Sequence, residues 1–142
     1  MDKQEKKERA HKDAILEGLP PINIGALFMP PIWGPAHGIW ITILYYPMWL
    51  FADNLFYAAY SNPAPLPIIG AIVVGVVLAF VTVMFARISQ GWACERALSR
   101  GMSKEAYVKR QRIWAWASIA LAVIMLAAAT YYNLVIRPTI GG

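Results

Sequence analysis

Residues 66–88, LPIIGAIVVGVVLAFVTVMFARI, carry no charge before Arg87, and Thr82 is their only hydroxyl. As a helix this run is about 34 Å long, against roughly 30 Å of bilayer hydrocarbon. Soluble core helices keep a polar face, and this run has none, so it reads as a membrane span. The flanking segments must then cross the same bilayer or lie on it.

Composition and charge placement agree. The chain of 142 residues is 58% hydrophobic, 13% aromatic and only 15% charged, enough for one compact unit. The net charge of +5 is unevenly spread. Five cations (Lys3, Lys6, Lys7, Arg9, Lys12) precede the first apolar run. Seven (Arg87, Arg96, Arg100, Lys104, Lys109, Arg110, Arg112) lie in or beside the connection after residue 88. The connection before residue 66 has none, and only Arg137 follows the last apolar run. That is the positive-inside pattern and not a nucleic-acid stripe, so no nucleic-acid partner is expected. The lone Cys94 permits no internal disulfide. No cleaved signal peptide is expected, because the first apolar run starts late and is too long for an h-region.

Residues 1–18 read as a polar cytoplasmic helix with acid-before-base pairs four apart: Asp2 with Lys6, Glu5 with Arg9, Glu8 with Lys12. Its two readings are a solvated, frayed tail, which leads, and an electrostatic anchor on anionic lipid. Residues 19–37 are apolar but broken by Pro30, Pro31 and Pro35, which forbids a continuous span. A short interfacial helix over residues 24–29 with Trp33 at the headgroup level is expected, and a re-entrant wedge is the alternative. Residues 38–142 then form a helical membrane domain with spans over 38–60, 66–88 and 113–136. Pro47 should kink the first span. Ala71, Gly75 and Ala79 give the second a small-residue ridge for close helix approach. The second helix should run on to about Gly101, turn, restart with Ser103 as cap, and return as an antiparallel hairpin. Small residues Ala115, Ser118, Ala122 and Ala129 mark a matching seam on the third helix.

The one carboxylate inside an expected span is Asp53, next to Asn54. An intramembrane charge needs partners, and Tyr131, Tyr132, Asn133 and Arg137 lie at comparable depth on the third span. A structural polar cluster is the leading reading, and a proton or ligand site is the competing one. His11 and His37 have no partners at metal-ligand spacing, so no metal is expected. Packing, not reactivity, is expected of Cys94. No phosphate loop, nucleophile elbow or carboxylate pair appears, so no catalytic residue or cofactor is assigned. Arg96, Arg100, Lys104, Lys109, Arg110 and Arg112 form a cytoplasmic basic surface suited to anionic lipid or an acidic partner.

Two stretches carry a family likeness. Asn23, Gly25, Ala26, Phe28, Ile32, Trp33, Gly34 and Trp40 come first, with His37 in the same interfacial motif. Gly91, Trp92, Ala93 and Arg96, then Gln111, Arg112 and Trp114, follow. The set resembles small bacterial multi-pass membrane proteins of a domain-of-unknown-function family, and the likeness implies a helical membrane fold with no established activity. PPIWGPAHGIWITILYYPMW is similar, locally, to the Pro-Pro-x-Trp and Trp-x-x-Leu-Tyr-x-x-Met run of tryptophan-rich sensory proteins. That likeness implies binding of porphyrins or sterol-like ligands.

The sequence thus reads as an all-α integral membrane protein of a bacterial cytoplasmic (inner) membrane, multi-pass, amino end inside and carboxyl end outside. The expected role is a non-enzymatic accessory, scaffold or assembly component. Its expected partners are membrane lipids and either another membrane protein or a second copy. The alternative is a binder, sensor or carrier of an apolar small molecule using the aromatic first span.

Overall fold

The computed structural model describes residues 2–141, and among these there is helix and no strand. Asp2 opens α1 (Lys3–Leu16) as the head of a capping box closed by Glu5. Of the three acid–base pairs expected along it, Glu8–Lys12 forms at 3.0 Å. Asp2 and Glu5 instead bond the first backbone amides. Gly18 ends the helix with a left-handed φ of +77°. The frayed-tail reading is corrected at the carboxyl end of α1, where Ile15 is buried and Leu16 lies against Gly91.

The proline-rich stretch folds into two short helices, α2 (Ile24–Phe28) and α3 (Pro30–Ala36). Asn23 caps α2 by accepting from the Ala26 amide at 2.9 Å. Pro30 and Pro31 do not break α3. They occupy its first turn, where a missing N–H costs nothing. Trp33 is fully buried and not at a lipid interface, which corrects the expectation for this residue. Gly25, Ala26, Met29, Pro30, Pro31 and Gly34 are buried with it. The segment is therefore packed into protein, against α5 and α6.

A 3-10 helix (Trp40–Leu44) leads into α4 (Tyr45–Ser61). Pro47, where a kink is expected, falls in the first turn of α4, just after the 3-10 segment, where its missing N–H costs no bond within the α-helix. The chain turns at Asn62 and enters α5 (Pro65–Ser99), 35 residues without interruption. Its end is a Schellman motif: Met102 N–H donates to Ala97 O (3.1 Å) and Gly101 N–H to Leu98 O (3.0 Å). Gly101 takes the required positive φ of +84°. Ser103 then caps α6 (Lys104–Tyr131), as its place in the sequence implies. A π turn (Tyr132–Ile136) and α7 (Arg137–Ile140) carry the same rod onward.

Two helical rods, Pro65–Ser99 and Lys104–Ile140, are long and apolar enough to cross a membrane. The hairpin they form is not closed by facing small residues as expected. Instead α2 sits between α5 and α6 and touches each more extensively than they touch one another. The ridge on α5 faces α4: a Cβ on Gly75 would stand 3.5 Å from Phe56, and one on Gly70 3.7 Å from Leu55. Ala71 is buried there, but Ala79 is exposed and lies outside the contact.

Candidate functional site

A second row of small and polar residues, one helix-length below that ridge, builds the site. Ala86, Ser89, Gln90, Ala93 and Cys94 are all buried on one face of α5. Their spacing of three and four keeps them on one stripe. Ala86 is small enough that the Asn23 amide reaches its carbonyl at 3.0 Å. That bond delivers the Asn23 side chain between α5 and α6.

Asn23 donates from Nδ2 to Gln90 Oε1 (2.8 Å) and to Gln111 Oε1 (3.0 Å). Gln90 Oε1 also accepts from the Tyr107 hydroxyl at 3.0 Å, and Gln90 Nε2 donates to Pro20 O at 3.1 Å. Gln111 Oε1 takes a second bond from Trp33 Nε1 (3.0 Å). Gln111 Nε2 stands 3.0 Å from His37 Nε2, while His37 Nδ1 lies 2.7 Å from Trp33 O. One proton assignment satisfies every contact: the imidazole is neutral, carries its proton on Nδ1 and accepts at Nε2. The Trp33 indole stacks on the imidazole, with centroids 4.0 Å apart, and Trp114 meets it edge-on at 5.4 Å.

Electrostatics favour the same state. Burial pushes the His37 pKa down and the Arg110 charge adds to this, against the opposing bond to Trp33 O. The Tyr107 hydroxyl is pushed well up by burial, with Cys94 a smaller cause. Burial likewise raises the Cys94 thiol, opposed by Lys104, so Cys94 is a packed thiol and not a reactive one. A cavity of about 230 Å³ adjoins the network, lined by Asn23, Gln90, Tyr107, Gln111 and Arg112 beside Ile22 and other apolar groups.

The basic surface divides. Arg96 donates to His37 O at 3.4 Å. Lys104 caps the end of α1, donating to Ala14 O (3.2 Å) and Glu17 O. Arg100, Lys109, Arg110 and Arg112 make no ion pair or hydrogen bond among the described residues. Phe28 and Trp40, members of the interfacial motif, are exposed and stay outside the network.

The Asp53 cluster forms in part. Asn133 donates to Asp53 Oδ1 at 2.7 Å, and Arg137 donates to Asn133 Oδ1 (3.2 Å) and Asn54 Oδ1 (2.8 Å). The Arg137 guanidinium lies 3.9 Å above the Tyr57 ring, which the sequence reading did not include. Tyr131 and Tyr132 are exposed and take no part. Asn133 lies in the π turn and Arg137 directly follows it. Among the described residues no group of three or more His, Cys, Asp or Glu side chains could hold a metal.

Gln90 and Tyr107 were not among the residues singled out from sequence. The small-residue spacing 86/89/90/93/94 is the signal that marks them, together with Tyr107 one turn before Gln111. In comparisons with protein-family models, curated proteins and solved structures, nothing matches this chain.

Proposed function

We propose that the chain is a three-span integral membrane protein with a non-enzymatic role, an accessory or assembly component built around a rigid cytoplasmic-side knot. The membrane part of this reading is supported by exposure. Only 6% of the most apolar window of the first rod is buried, and none of the second. Large side chains such as Leu66, Val76, Phe80, Val123 and Leu126 are at least 60% exposed, which in water would be an unmanageable apolar surface. The first span, added to these two rods, is α4 with its 3-10 lead, about 35 Å of helix in all. The lysine and arginine asymmetry supports an orientation with the amino end in the cytoplasm and the carboxyl end outside, the membrane being a bacterial inner membrane in this reading.

The non-enzymatic part rests on one observation: the side chains of Asn23, Trp33, His37, Gln90, Tyr107 and Gln111 bond one another. Both nitrogens of His37 are engaged, one by Trp33 O and one by Gln111, so neither is free to act as a base. Such a network locks α2 and α3 to both long helices and presents a fixed surface to a partner membrane protein or a second copy. The aromatic first span gives no comparable support to an apolar-ligand site, since Trp40, Phe51 and Tyr60 point outward.

Reporter fusions after Asn62 and Gly101 test the topology: the first should be external and the second cytoplasmic. Purification in mild detergent with mass spectrometry tests the role. A stoichiometric protein or self-partner is expected, whereas a bound pigment or sterol-like molecule would overturn the accessory reading.

A further inference from the structure

Two cavities on the cytoplasmic side share a wall. The inner one, about 230 Å³, is lined by the polar Asn23, Gln90, Tyr107 and Gln111 together with the apolar Ile22, Ile24, Val108 and Ala115. The outer one, about 640 Å³, is lined by Lys104, Lys109 and Arg112 against Glu17 and Glu105. Gly18, Val108 and Arg112 border both, so Arg112 stands where the two cavities meet.

We propose that this cleft, between the α1–α2 linker and α6, is a binding site for one anionic phospholipid. Its phosphate sits on Arg112 and Lys109, and its glycerol end and first acyl carbons enter beside Ile24 and Ala115.

Four observations carry this. Lys109 and Arg112 are three apart on one face of α6, and among the described residues neither is spent on an ion pair or hydrogen bond. Lys104, the third cation, is held by the α1 carbonyls, so it adds field without closing over the site. The depth also fits. Arg112 directly precedes the apolar part of α6, and Trp116, one turn further, is 75% exposed, as an aromatic at a membrane interface should be. Glu17 and Glu105 line only the outer cavity, which disfavours a polyanion and suits a single phosphodiester. The guanidinium can hold two phosphate oxygens at once, and the ammonium contributes a point charge.

The inference rests on the membrane reading, and one experiment separates the two. The full chain is reconstituted into phosphatidylcholine and into phosphatidylcholine–phosphatidylglycerol nanodiscs, and native mass spectrometry counts retained lipids while thermal unfolding is followed. Wild type should retain one phosphatidylglycerol and melt higher in its presence. The variant Lys109→Gln/Arg112→Gln should bind it about 30-fold more weakly, roughly fivefold per cation lost, and should melt like wild type in phosphatidylcholine alone. The control Lys7→Gln/Arg100→Gln, equal in charge lost, should keep the lipid. Equal retention by both double variants, or equal retention of phosphatidylcholine by wild type, overturns the site. An equal rise in melting temperature from inorganic phosphate in phosphatidylcholine nanodiscs overturns the lipid assignment. Failure of wild type to enter any bilayer overturns the membrane reading, and the site with it.

Discussion

His37 Nε2 and Gln111 Nε2 face each other at 3.0 Å, one nitrogen accepting and the other donating. That polarity is fixed from outside the pair. Trp33 O requires the imidazole proton on Nδ1, and Asn23 and Trp33 both require the Gln111 oxygen on their side. A protonated His37 would set two donors against each other, and a flipped Gln111 would abandon two bonds to relieve it.

Removing the Gln111 amide tests the lock. Gln111→Leu leaves Trp33 Nε1 and His37 Nε2 buried without partners, at a cost of about 2–4 kcal/mol. Gln111→Glu keeps an acceptor for Asn23 and Trp33 but turns a second acceptor toward His37. The expected outcome is a smaller loss of melting temperature than for Leu, and a His37 pKa raised relative to wild type by ring-nitrogen NMR. A His37 titration identical in both proteins would exclude the proton assignment.

The depressed pKa of His37 makes stability depend on pH with a definite sign. Below the unfolded-state value of 6.5 the unfolded chain binds a proton that the folded chain refuses. Stability is therefore full above about pH 6.5 and declines as pH falls toward the lower folded value. His37→Gln should flatten the pH dependence of the melting temperature in this window. A wild-type profile that rises as pH falls from 7 to 5 would contradict the buried neutral imidazole.

Two glycines should respond in opposite ways to alanine. A Cβ on Gly25 would lie 3.0 Å from Trp33 Nε1 and nearer still to the adjoining ring carbon. Trp33 has no room to retreat, so Gly25→Ala should cost about 1–3 kcal/mol. A Cβ on Gly75 would meet Phe56 at ordinary contact, and alanine favours helix over glycine by about 1 kcal/mol. Gly75→Ala should thus hold or raise the melting temperature, while Gly75→Leu overpacks the α4 contact and lowers it.

Asp53 is held by an amide and not by a direct ion pair. Asp53→Asn keeps an oxygen for Asn133 and should be mild. Asp53→Leu strands Asn133 Nδ2 and should cost about 1–3 kcal/mol. Arg137→Lys should also destabilise, because one ammonium cannot serve Asn133, Asn54 and the Tyr57 face together. Thermal unfolding of the three variants in one detergent gives the order; equal stability of Asn and Leu at position 53 would exclude the cluster.

The sequence by itself determined what one-dimensional patterns can hold. The uniform apolarity of residues 66–88, the Gly101–Ser103 turn and the charge asymmetry each depend on neighbours in the chain, and they yield two long apolar rods joined by a capped turn. It also pointed to Asp53, Asn54, Asn133 and Arg137 as one cluster, because scarce polar groups in apolar helices have few other partners. Tertiary structure decided the rest. Whether Pro30 and Pro31 break a helix or begin one depends on where α2 ends: Met29 closes α2 and opens α3, and α2 is itself anchored at Asn23 by a bond to Ala86 on another helix. Whether Trp33 meets lipid or protein depends on α2 entering between α5 and α6, which no periodicity within α2 records. The His37–Gln111 contact joins residues 74 positions apart and forms only because α2 and α3 are wedged there. Local spacing fixes which residues share a face; it does not fix which faces meet.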